Sequence, residues 1–91
     1  MDETQNLLGK RWIVGVTLLA AEQAQRVLEI CATTSGGEKD LNRALREAFD
    51  IGELDAEVIL SMQVRRFTPA SVQRLRAELD EIERQLAIAE A

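Results

Sequence analysis

The last third of the chain sets the strongest constraint. Thr68-Pro69 is a helix start, because a threonine oxygen can accept from a free amide while proline takes the first helical position, where its missing donor costs nothing. After it Val72, Leu75, Leu79, Ile82, Leu86 and Ala89 recur by threes and fours, with Arg and Glu between them. That pattern predicts a helix of about 20 residues, ~30 Å long, with one narrow apolar seam. It spans too few heptads for a free-standing coiled coil, so the seam should be covered from within the chain. The stripe Leu8, Trp12, Val16 and Leu19, at spacings of four, four and three, is the expected partner.

Pairing these stripes gives a short antiparallel two-helix coiled-coil stalk, helices at about 7–24 and 68–91, with both termini at one end. Residues from about 25 to 67 form a helical knob at the other end. No segment alternates with a period of two, so the fold class is all-α and residues 1–91 form a single domain. Residues 1–6 are polar and expected to fray, with Asp2 and Glu3 well placed beside a helix start. The apolar stripes before and after Glu22–Gln25 differ in phase, so two helices should meet there. Thr33-Thr34-Ser35-Gly36-Gly37 must be a loop.

Within the knob, Asp40 is the expected cap of a helix whose apolar face is Leu41, Ala44, Leu45, Ala48 and Phe49. Asn42, Arg43, Arg46 and Glu47 make its solvated side. Gly52 is the expected left-handed terminator, with Glu53 and Asp55 opening a helix at roughly 53–62. Gly15 either admits a neighbouring helix or is merely tolerated. Val58, Ile59, Met62 and Phe67 are more large apolar groups than one small corner of a 91-residue chain can hide. Together with Gln63 and Arg66 they form the expected dimer interface. The expected stalk packing set is Leu8, Trp12, Val16 and Leu19 against Val72, Leu75, Leu79, Ile82 and Leu86.

Composition agrees with assembly more than with chemistry. At 46% hydrophobic and 30% charged residues the chain should fold, yet it has neither a disulfide pair nor a metal-ligand cluster to staple a small core. Oligomerisation is the remaining device. There is no His and no Tyr, which argues against an enzyme, and no cofactor or metal site is expected. A net charge of −5 argues against direct nucleic-acid binding. Arg65 and Arg66 should instead pair with carboxylates such as Asp55, Glu57 or an acid of a second copy. Glu78, Asp80, Glu81, Glu83 and Glu90 read as solvated helix flanks rather than metal ligands. The single Cys31, flanked by Val27, Leu28 and Ile30, reads as a buried thiol and fits a reducing cytoplasm. The apolar run Trp12–Ala21 is half the ~20 residues needed to span a bilayer, so no membrane partner is expected.

The segment Ala56 to Thr68, AEVILSMQVRRFT, resembles a region of the DNA-cleaving A subunits of DNA gyrase and topoisomerase IV that usually reads Ala-x-x-Ile-Leu-x-Met-x-Leu-x-x-Leu-Thr. Ile59, Leu60, Met62, Arg66 and Thr68 match in place, and Val64 and Phe67 are apolar replacements. Ala48-Phe49-Asp50-Ile51 resembles the family's Arg-Phe-Gly-Leu, and Ile13–Thr34 and Leu75–Leu86 resemble its flanking helices, so that about 75 residues are covered. Two departures stand out: Ser71 where the family often has a glutamate, and Gly52 in place of a polar cap. In that family the region is the exit gate, or C-gate, a helical dimerisation domain at the end of two long antiparallel helices. The resemblance implies a homodimer of the stalk-and-knob kind, without the tyrosine that attacks DNA. It further implies the A subunits of gyrase or topoisomerase IV as partners through a mixed dimer. Two other readings stand beside it: a helical binding module for an unrelated protein, and an accessory piece of a split topoisomerase.

Overall fold

The structure, a computed structural model, describes residues 3–90; Met1, Asp2 and Ala91, and with them the expectation for Asp2, lie outside the described residues. Five α-helices follow in order: α1 Glu3–Glu22, α2 Ala24–Thr33, α3 Glu38–Phe49, α4 Glu53–Leu60 and α5 Pro69–Glu90. A 3-10 turn at Val64–Phe67 joins the last two. The described residues are all-helical, with no strand among them.

The sequence dictates most of these boundaries. Thr68 is extended, as a residue before proline must be, and its Oγ1 accepts the Ser71 amide at 3.1 Å, closing the first turn of α5. The break at Gln23 is one residue wide: its N–H still donates to the Ala20 carbonyl at 3.1 Å, but its ψ of 40° turns the chain away. Some ends differ from expectation. α1 is already helical at Glu3 rather than frayed to residue 6. Gly37, not Asp40, precedes α3, because Glu38 and Asp40 already sit in its first turn, where their charge complements the helix dipole. The left-handed residue after α3 is Asp50, at φ 53°, while Gly52 is extended and precedes α4. Asp is among the few side chains that tolerate this conformation, so a glycine was not required.

α1 and α5 run antiparallel. Leu7 and Leu86 share one end of a common core with Val14, Leu18, Ala21, Leu75 and Ile82, and Glu22 pairs with Arg76 near the knob. At the other end Glu3, Thr4 and Leu7 face Gln85, Ile88 and Ala89 across a crevice of about 340 Å³. α5 presents its expected face: Leu75, Ile82 and Leu86 are buried, with Val72 and Leu79 half-buried beside them.

α1 does not present its expected face. Leu8 and Trp12 are 41% and 40% exposed, Leu19 is half-buried, and Val16 is buried in a second core. The reason is that α1 serves two cores at once. Val14, Leu18 and Ala21 point to α5, while Val16 and Ala20 point to the knob, where they meet Val27, Leu45, Ala56 and Ile59. A helix apolar on two sides carries no single stripe from which a phase can be read.

Side chains lock the knob helices to one another. Asn42, expected on the solvated side of α3, is 5% exposed. Its amide nitrogen donates to the Glu53 carbonyl and to Glu57 Oε1 at 3.3 and 2.9 Å, and its oxygen accepts from Arg46 Nε at 2.7 Å. Arg26 of α2 donates to the Ala48 carbonyl at 2.6 Å and lies 4.8 Å over the Phe49 ring, which satisfies an end carbonyl of α3. Val27 and Ile30 of α2 pack into the knob core, but Leu28 is 53% exposed and Cys31 is exposed, not buried as its neighbours implied. No helix of the described residues is long and apolar enough to cross a membrane.

Candidate functional site

The corner between α4 and α5 carries the residues that the sequence marks. α4 ends at Leu60, where the Ser61 amide reaches the Glu57 and Val58 carbonyls and its hydroxyl donates to Val58 O at 2.8 Å. Gln63 is extended, and the Arg66 amide donates back to its carbonyl at 2.9 Å to close the 3-10 turn. Three short reversals in succession pin the chain before Pro69 restarts it. The side chains of the corner are therefore held by backbone hydrogen bonds rather than left to a floppy loop.

The six expected interface residues divide. Ile59, 3% exposed, belongs to the knob core and is closed off within the chain. Met62 and Phe67 are half-buried and touch both cores, so they plug the junction of the α1–α5 pair with the knob. Val58 is half-buried, and Gln63 and Arg66 are exposed. Val58, Met62, Gln63 and Arg66 nevertheless come together with Ile13, Thr17 and Ser61 around one groove of about 410 Å³. Ile13 is the member that stripe reasoning passed over. It is 47% exposed and belongs to neither core, and its signal was that it fits no stripe of α1. Val64, on the turn itself, is 78% exposed but does not line this groove.

Electrostatics separate this corner from the rest of the surface. Asp55 does not meet Arg65 or Arg66: one carboxylate oxygen accepts the Trp12 indole N–H at 2.5 Å, and the other accepts the Gly52 amide at 3.0 Å. That clasp ties α1 to α4, and it explains how an exposed tryptophan keeps a fixed seat. Glu57 is engaged by Asn42. Arg65 and Arg66 form no ion pair among the described residues, so the pairing with Asp55 or Glu57 expected for them is not made within the chain. Far from the corner, hydrogen bonds from Arg84 and then Gln85 hold the Glu81 carboxyl below the usual carboxylate range. The same pair raises Arg84. The other acids of that flank, Glu78, Asp80, Glu83 and Glu90, are exposed, and among the described residues no group of acids or cysteines is gathered for a metal.

The arrangement suits docking: an apolar floor, an amide and a guanidinium at its edge, and a backbone that need not reorganise. Compared with known protein families and with characterised proteins, the chain has no match.

Proposed function

We propose that this chain is a non-catalytic dimerisation module in which the groove at the α4–α5 corner receives a second copy of the same surface, while the α1–α5 pair acts as a short coiled-coil stalk. The observation that carries this reading is the groove itself. Ile13, Val58 and Met62 leave apolar surface open beside Gln63 and Arg66, in a chain too small to cover it from within. A two-fold contact is self-complementary, so each copy would bring an apolar floor to its partner's and an amide and guanidinium to the rim. The lack of histidine and tyrosine supports a structural rather than a catalytic role.

The resemblance of Ala56–Thr68 to the exit gate of type IIA topoisomerases supports the same corner as the contact and extends it to a partner. We propose that the chain can exchange into a mixed dimer with the DNA-cleaving polypeptide of gyrase and so modulate the topoisomerase. Sedimentation equilibrium tests the first claim: a reversible dimer is expected, and a monomer at every concentration overturns it. A pull-down with that purified gyrase polypeptide tests the second, and failure to capture it at high concentration removes the mixed dimer without touching the homodimer.

A further inference from the structure

Beside the apolar groove lies another of about 440 Å³, lined by Gln63, Arg65, Arg66, Thr68, Ser71 and Arg74, three of them arginines and none an acid. From Ser61 to Ala77 the chain carries Arg65, Arg66, Arg74 and Arg76 and no carboxylate, within a protein of net charge −5. Arg76 is taken by Glu22, but no ion pair among the described residues engages the three that line the groove. Of the acids that flank this stretch, Asp55 is committed to Trp12 and Gly52 and Glu57 to Asn42, while Glu78, one turn beyond Arg74 on α5, is exposed and makes no ion pair with it. Ser71 adds an independent sign. The residue is 4% exposed, yet its hydroxyl makes no hydrogen bond, while no sealed side-chain polar atom among the described residues lacks a partner. The hydroxyl is therefore open to the groove that Ser71 lines. Arg74 follows it by one helical turn on the same face, and Ser71 itself lies in the first turn, at the positive end of the 22-residue helix α5.

We propose that this groove binds a phosphate group, as the free ion or as a phosphate monoester on a small ligand. Guanidinium forks present paired donors matched to phosphate oxygens, and a dianion can accept from several of them together with a serine hydroxyl. A monocarboxylate, with one charge and two oxygens, would leave part of that donor set unused. Gln63 and Arg66 line both grooves, but phosphate binding does not depend on the dimer reading.

The test is a titration of the isotopically labelled full chain with inorganic phosphate, with phenyl phosphate and with acetate, followed by amide chemical shifts at about 0.15 M salt. Saturable shifts confined to residues 63–74 are expected with one or both phosphates and not with acetate. Preference between the two identifies the free ion or the monoester. Arg74→Gln should weaken binding about tenfold or more, and Ser71→Ala about threefold, with helical circular dichroism unchanged. Non-saturating shifts, equal response to acetate, or undiminished binding in folded Arg74→Gln overturns the proposal. Repeating the titration in Ile13→Asn, which alters no residue of this groove and places no acid beside Arg66, separates the two readings. Saturable phosphate binding by a parent chain that is monomeric at every concentration supports this site while overturning the dimer, a parent dimer without phosphate binding does the reverse, and saturable binding kept by a monomeric Ile13 variant shows that the site does not need the dimer.

Discussion

Replacing Ile13 by aspartate is the sharpest probe of the dimer, because Ile13 lies in the groove but outside both cores. Complete burial of an isoleucine side chain is worth about 1.5–3 kcal/mol, and this one is 47% exposed in a single copy, so about 1 kcal/mol remains to be gained. A two-fold contact counts it twice, about 2 kcal/mol in all. Placing a carboxylate there also imposes desolvation, offset in part by Arg66 on the same groove; about 1–2 kcal/mol more is a reasonable net loss. The dimer should therefore weaken by about 3–4 kcal/mol, roughly two to three orders of magnitude in Kd. The monomer should lose only about 0.5 kcal/mol, as for other exposed helix positions. Met62→Asp and Phe67→Asp are blunter tools, since both side chains touch both cores and their loss would also unfold the monomer. Sedimentation equilibrium over a wide concentration range, with urea unfolding on the same samples, reads the two effects separately. An Ile13→Asp protein that is normally folded and dimerises within about threefold of the parent would refute the placement of the interface.

Three further outcomes follow from packing and charge. Asn42→Ala removes the clamp between α3 and α4, and with partners that water can partly re-satisfy it should cost about 1–2 kcal/mol in urea unfolding; no change would mean that the clamp is redundant. A Cβ at Gly15 would meet nothing within 4 Å, so Gly15→Ala should stabilise the monomer by about 0.5–1 kcal/mol, and a drop in dimer affinity instead would place a partner helix there. Glu81 titrates below its ordinary range because Arg84 and Gln85 donate to it, so its contribution is present above the unfolded-state pKa and is lost as pH falls through the lower folded value. Arg84→Gln should move the Glu81 titration upward by carboxyl NMR, and an unmoved titration would show that the pair is not formed in solution.

Local chemistry was enough to place several elements. Thr68-Pro69 can do little other than start a helix, the threes and fours from Val72 to Leu86 leave α5 one apolar face, and the run Thr34–Gly37 cannot continue a helix. These signals act within a few residues of themselves, so no knowledge of the rest of the chain was needed. The corner was legible for the same reason, since reversal, arginines and apolar groups are contiguous from Val58 to Thr68.

What tertiary structure decided was which apolar residues face which neighbour. Ile59 and Ile13 carry side chains of equal size, yet one is 3% exposed and the other 47%, because the first packs into the knob core and nothing within the chain covers the second. α1 looked like a helix with one stripe and proved to have two faces, since the knob folds back onto Val16 and Ala20 while α5 takes Val14 and Leu18. Asn42 and Cys31 exchanged their expected environments for the same reason: burial depends on where the neighbouring helix ends, and that is set by contacts between residues far apart in the chain. Periodicity names the side of a helix that prefers to leave water; only the assembled fold determines whether there is something on that side to receive it.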